Sequence, residues 1–248
     1  VAIADHLMTT VSKDFFFDGM VLPVNVFLKM NAGNYLTIGK KGDKVTFSTL
    51  HSFGHPASEV CVKTIDHNHL VQYIADVTGK VVSQKGMPDK VKAKFVSSLT
   101  EESFAGLEKT NFASIAGLQK VSAIVLELTK TVGTFDAVMG LLMEMPANQS
   151  KHAMATCLIA LILAEEMQVT LKAAQEKIAL GALLHDVGLK FVPKAILEKP
   201  RHLWTPEDLH VYEQHPIKGV EMLRDLKDVP SDVLLIVAEH HENSQGTG

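Results

Sequence analysis

Seven of the chain's twelve histidines follow residue 150: His152, His185, His202, His210, His215, His240 and His241. Five of them border apolar runs. His152 is embedded in SKHAMATCLIALILA, His185 and Asp186 end IALGALLHD, His215 stands before a proline, and His240 with His241 ends DVLLIVAEHHE. One such histidine is accounted for as a core residue, or as an end-of-helix cation favoured by the helix dipole. Five with one aspartate are not, because burying so many imidazoles without partners is costly. Neutral imidazole is the commonest ligand of borderline metals, and a carboxylate bridges two ions. A bound metal pair lowers the pKa of a bridging water and so supplies the nucleophile for phosphoester hydrolysis. His210 lies five residues before His215, about 140° round a helix, so the two do not face one site. His202 sits in a polar loop.

Helices must carry these groups. From Thr134 onward no strand alternation appears, and the spacing suggests helices at about Phe135 to Glu144, Gln149 to Gln168, Leu171 to Asp186, Pro206 to His215, Ile217 to Leu226 and Asp232 to His241. Thr205-Pro206-Glu207-Asp208 supplies a cap, a first-turn proline and two acids, and Ser231 with Asp232 is read as the cap of the last helix. Upstream, Thr100 reads as an N-cap followed by Glu101 and Glu102. Phe104, Leu107, Phe112, Ile115, Leu118, Val121, Ile124 and Leu128 then recur at helical steps in one long helix or two end to end. An exposed stripe on that helix would be a homodimer seam; burial is the simpler expectation.

The first region reads differently. VNVFLKM and YLTIGKKGDKVTF alternate apolar and polar residues around NAGN, while FSTLHSF and DHNHLVQYIADVTG resemble short helices. The pairs His51/His55 and His67/His69 lack a nearby Cys or carboxylate cluster and are expected on loops or the surface. The expected class is α+β: a small α/β accessory or regulatory domain over 1–97, a linker helix over 98–133 and an all-α domain over 134–248.

A length of 248 residues with 46% hydrophobic content is enough for one large or two modest cores. The net charge of −4, with acids and bases interspersed, disfavours wrapping DNA. Cys61 and Cys157 show no metal or redox spacing and read as reduced core thiols. VAIADHLMTTVSKDFFFDGM lacks the pattern of a signal peptide. ATCLIALILA falls short of the roughly 20 apolar residues that span a bilayer. A cytoplasmic protein without membrane contact is expected.

In their order, His152, then LLHDVGLKFVPKAILEKPRHLWTPEDLHVYEQHPIKGVEML, then AEHHENSQGTG resemble the HD-GYP family. This is a branch of the HD metal-dependent phosphohydrolases whose best-known members hydrolyse cyclic di-GMP. The match covers about residues 134–248, with HD, HP, HHE and G-x-G in sequence. The resemblance implies an HD-type helical domain in which His152, His185, Asp186, His215, His240 and His241 bind two divalent transition metal ions, iron or manganese, with Asp186 bridging. It implies that Gly246 and Gly248, preceded by Gln245, let backbone approach a nucleotide or a signalling protein. Lys190, Lys194, Lys199 and Arg201 would attract the anionic ligand, with a solvated basic face as the alternative.

Four departures accompany the likeness. The family's lysine four residues after the HD histidine is Leu189 here, with Lys190 one place late; Lys190 joins Asp186 as a catalytic candidate. Gln245 replaces the usual aspartate, and Trp204 is an extra residue in the loop that normally runs Lys-Pro-Gly-x-Leu-Thr. The signature's Tyr-Pro would follow Gly248, where the family pattern supplies more helices, a late aspartate ligand and basic residues, so a longer chain is expected. Some relatives add a third metal through a glutamate four residues before the first histidine. Asn148 holds that position here and Glu144 lies a turn further back, just before Pro146, so two metals are expected.

The first function implied is a cyclic di-GMP phosphodiesterase acting through a metal-bridged hydroxide. The second is a degenerate, non-catalytic sensor that keeps metal and nucleotide. The third is a di-iron oxygenase of the HD fold.

Overall fold

The structure, a computed structural model, describes residues 2–46, 59–109, 115–132, 139–140, 142–143, 149–226 and 228–246. The chain forms two compact units, Val1–Gly117 and Leu118–Gly248.

The first unit is built on a four-stranded antiparallel sheet. Its strands are β1 (Met8–Thr10), β2 (Val26–Asn31), β3 (Asn34–Gly39) and β4 (Glu59–Lys63), in the order β1-β4-β2-β3. The hairpin expected around NAGN is present, with Asn31 opposite Asn34 and Gly33 at φ +73°, the left-handed conformation the tight turn needs. The sequence shows no sign of β1, and within the strand-like stretch from Phe15 to about Ile65 it does not single out β4. Each is too short for alternation to register, yet β4 is central and buries Val60, Cys61 and Val62.

Helix α1 (Thr64–Ser83) packs on α2 (Asp89–Lys109). His67 shares the inward face of α1 with Leu70, Val71 and Ile74, so it is buried and not a surface residue as expected. Its Nε2 lies 2.7 Å from Glu102 Oε1 on α2, and the Ser12 backbone N–H donates to Glu102 Oε2 at 3.1 Å. His69 is exposed on the same helix, while His51, His55 and FSTLHSF lie outside the described residues. Thr100 is not an N-cap. Pro88 and Asp89 start the helix earlier, the amides of Val91 and Lys92 donating to the Pro88 carbonyl, and the buried Thr100 hydroxyl donates to the Val96 carbonyl at 2.7 Å.

In the second unit the helices are α3 (Ile115–Val132, beginning at the unit boundary), α4 (Gln149–Glu166), α5 (Lys172–Leu184), α6 (Lys194–Leu197), α7 (Pro206–Glu213), α8 (His215–Arg224) and α9 (Ser231–Glu239). Two 3-10 segments, Val187–Phe191 and Arg201–Leu203, occupy the stretch read as loop. Of the helix expected over 135–144, only 139–140 and 142–143 are described. Thr205 closes a full capping box with Asp208. Ser231 does not cap: it is the first residue of α9, and the amides of Val233 and Leu234 donate to the Pro230 carbonyl. The core joins Met154, Cys157, Leu158 and Leu161 of α4, Leu180, Leu183 and Leu184 of α5, Leu223 of α8 and Val237 of α9. Burial pushes the Cys157 thiol up, so it stays protonated among them. Among the described residues no helix is long and apolar enough to cross a membrane.

The Val187–Phe191 segment lies against α8 at backbone distance. A Cβ on Gly188 would sit 1.9 Å from the His215 carbonyl oxygen and 2.7 Å from the Gly219 nitrogen. Glycine is required there by close approach, not by φ.

Two substitutions test this packing. Gly188→Ala should force α8 away, displace His215 and lower the melting temperature; a crystal structure of the variant with His215 unmoved contradicts the account. In the first unit, Glu102→Leu strips the buried His67 imidazole of its carboxylate. It should cost about 3 kcal/mol in urea unfolding, with most of the loss recovered when His67→Leu is added.

Candidate metal centre

The centre is assembled from helix ends. His152 lies in the first turn of α4, His185 caps the C-terminus of α5, His215 opens α8 ahead of Pro216, and His240 caps the C-terminus of α9 with His241 following. Asp186 leaves the helical region at φ −95°, ψ 10° as the chain turns into the Val187–Phe191 segment, which aims its carboxylate inward.

Three of the imidazoles are fixed in the same way. Nδ1 of His185, His215 and His240 lies 2.8, 2.7 and 3.0 Å from the carbonyls of Ala182, Tyr212 and Val237, each three residues earlier. A carbonyl only accepts, so each Nδ1 carries the proton and each Nε2 points the other way. Those Nε2 atoms converge on Asp186. Its Oδ2 lies 3.4 Å from His152 Nε2 and 3.2 Å from His185 Nε2, while its Oδ1 lies 3.3 Å from His215 Nε2 and 3.5 Å from His240 Nε2. Two groups share this aspartate: His152, His185 and Asp186, and Asp186, His215, His240 and His241. In each, one ligand atom per residue falls within 4.8 Å of the others, so each could hold a metal ion.

Burial opposes the Asp186 charge, but His185, His215 and His240 outweigh it and hold the carboxyl far below the usual carboxylate range. Burial likewise works against a charged His185, yet Asp186 and the Ala182 carbonyl raise its pKa on balance. His241 is pushed down by burial first, then by His240 and His215. With all rings neutral and Nδ1–H, Nε2 lone pairs face carboxylate lone pairs and one another, at 3.2 Å for His152/His185 and 3.1 Å for His215/His240. A proton on one ring of each pair balances the group, and a cation among the same donors does so as well; imidazole with carboxylate is a donor set that suits a borderline divalent metal.

His202 and His210, set aside in the sequence, are exposed. Lys190 is exposed, with its ammonium 5.2 Å from the Phe191 ring centroid; Leu189 is half-buried, and Lys194 and Arg201 are exposed. Gln245 and Gly246 lie in a turn after His241. There the Gln245 amide donates to Asn243 Oδ1 at 2.8 Å, the Gly246 amide donates to the Asn243 carbonyl at 3.1 Å, and Gly246 takes φ +72°. Gly248, Asn148 and Glu144 lie outside the described residues.

The sequence reading passed over Gly188 and its neighbour Gly219, which let the Asp186 segment reach α8. It also passed over Gln149, whose amide donates to the Asp186 carbonyl at 3.2 Å. A glycine two places after the HD pair was the available signal for Gly188.

The HD domain family profile matches residues 136–248. Over 97 residues the chain is 36% identical to a cyclic di-GMP phosphodiesterase of Pseudomonas aeruginosa, a match covering 39% of this chain and 23% of that protein. It is 30% identical over 97 residues to the cyclic di-GMP phosphodiesterase PdeB of Borreliella burgdorferi, covering 39% of this chain and 25% of that one. With the cyclic di-GMP phosphodiesterase response regulator RpfG of Xanthomonas campestris it shares 36% over 72 residues, 29% of this chain and 19% of the relative. The chain thus spans a quarter or less of the length of the curated relatives it matches. A solved HDG"Y"P protein from Bdellovibrio bacteriovorus has the same fold at a TM-score of 0.64 and 18% identity, covering 97% of this chain and 79% of that one. HD, HP and HHE are thus brought to one centre within the part of the chain, residues 136–248, that matches the HD domain family, and that part is similar to HD-GYP proteins.

Proposed function

We propose that the six side chains hold two divalent transition metal ions, iron or manganese, with Asp186 between them, and that the protein hydrolyses cyclic di-GMP to the linear dinucleotide. The observation that carries this reading is the division of one carboxylate between two histidine pairs, Oδ2 toward His152 and His185, Oδ1 toward His215 and His240. The names of the curated relatives, all cyclic di-GMP phosphodiesterases, supply the substrate. When bound, a metal pair at this spacing of donors supplies a low-pKa water as nucleophile and neutralises the phosphoryl oxygens.

The chain's own residues do the rest. The Ala182, Tyr212 and Val237 carbonyls fix three ring orientations before any ligand arrives, so no side-chain freedom is lost on binding. Burial of His185 and His215 excludes water behind those two rings, while His152, its side chain 59% exposed, and the exposed His241 leave the centre open to substrate. Lys190, Lys194 and Arg201 place positive charge on the exposed surface that follows Asp186 in sequence, and the Gln245–Gly246 turn offers backbone to the nucleotide or to a partner protein. A second reading, a metal-binding sensor without turnover, draws on Leu189: a half-buried leucine stands where the family's lysine would supply a charge.

Two measurements test these readings. Elemental analysis of the purified protein should find transition metal, and Asp186→Ala should remove most of it; metal-free wild-type protein, or a variant with unaltered content, refutes the centre. Hydrolysis of cyclic di-GMP by metal-loaded protein, followed by chromatography of the linear product, should be slow, and Leu189→Lys should accelerate it about 10²-fold, the usual worth of one such contact. No turnover in either protein would leave the sensor reading in place of the enzyme.

A further inference from the structure

The stretch that follows the Val187–Phe191 segment carries an aromatic feature that packing does not require. Neither α6, nor the Arg201–Leu203 segment, nor α7 contains a buried residue, and Leu203 is 55% exposed. Yet Trp204 and Tyr212 pack there with ring centroids 4.9 Å apart and planes tilted by 55°, and the Arg201 guanidinium stands 5.4 Å from each centroid. The pair continues into the metal centre, because the Tyr212 ring lies 4.8 Å from that of His215 and 6.3 Å from that of His241.

Trp204 is held in place by its polar edge. Its Nε1 donates to the Lys199 carbonyl at 2.9 Å, and Lys199 Nζ donates to Asp208 Oδ2 at 2.6 Å, the same carboxylate that accepts from the Thr205 amide in the capping box. The indole N–H is thereby satisfied within its own loop, which leaves the ring's faces to make contacts.

We propose that Trp204 and Tyr212, with Arg201 beside both rings, form an aromatic wall that takes a purine base of the nucleotide whose phosphate sits at Asp186. The inference rests on the phosphodiesterase reading for the phosphate's position and adds the recognition of the base. Base–aromatic stacking tolerates any base but grows with π area, which favours a purine, and the guanidinium adds a cation to the face that meets an anionic nucleotide. The Tyr212 ring lies 6.3 Å from that of the exposed His241, so the aromatic pair adjoins the open edge of the centre.

Trp204 is the chain's single tryptophan, so its fluorescence reports the wall alone. Guanosine 5′-monophosphate should quench that emission saturably, and ribose 5-phosphate, which carries the same phosphate and sugar without a base, should not. Tyr212→Leu should weaken the nucleotide's binding about tenfold, Tyr212→Phe should restore it, and metal content should be the same in both. On cyclic di-GMP the Tyr212→Leu loss should fall in KM rather than kcat. Emission unmoved by millimolar guanosine 5′-monophosphate, equal quenching by ribose 5-phosphate, or undiminished binding by a folded Tyr212→Leu variant overturns the wall. Quenching without hydrolysis of cyclic di-GMP upholds the wall and removes the phosphodiesterase reading, whereas hydrolysis without quenching does the reverse.

Discussion

The Asp186 carboxylate, part-buried and faced by four Nε2 atoms at 3.2 to 3.5 Å, is the interaction on which the second unit is organised. It presents one oxygen to the histidines of α4 and α5 and the other to those of α8 and α9, so four helix termini meet at one anion. Its own burial disfavours the charge, and the surrounding imidazoles more than offset that. The histidines are not simply attracted to it. Their Nδ1 bonds to carbonyls three residues earlier orient the rings independently and turn the Nε2 atoms toward the same carboxylate.

Such a centre demands close backbone approach. The segment that carries Asp186 must come against α8, and Gly188 and Gly219 are the residues at which two backbones meet without side chains between them. A helix end is also the natural place for these ligands. At the C-terminal caps of α5 and α9 the chain still holds αR geometry, which keeps the i−3 carbonyl within reach of Nδ1. Placing the donors mid-helix would have buried them among Leu158, Leu180 and Leu183, where nothing could be coordinated.

Around this core of donors, Leu189 is half-buried in the segment that follows the HD pair, while Arg201 and Trp204 meet Tyr212 of α7 in a cation–aromatic cluster. The first unit contributes its own buried polar pair, His67 with Glu102, which ties the start of α1 to the far end of α2. That position makes it a structural clamp within the unit.

Periodicity alone was enough to read five helices from Gln149 onward and the hairpin at NAGN, because 3.6- and 2-residue repeats are local properties of the chain, but not the short α6 or the two 3-10 segments, which are under two turns long. The capping box at Thr205 was legible for the same reason. The identities of the six side chains at the centre were also visible, since histidines and an aspartate beside apolar runs are conspicuous wherever they point. Other features depended on partners distant in sequence. β4 is a strand because β1 and β2 lie on either side of it, His67 is buried because Glu102 reaches it from α2, and Thr100 lost its cap role to a helix start eleven residues earlier at Asp89. Which oxygen of Asp186 faces which histidines, and that Gly188 must lack a side chain, are set by how α4, α5, α8 and α9 pack. Tertiary structure decides these points because the deciding energies, close packing and the satisfaction of buried polar atoms, arise only between segments that the sequence keeps apart.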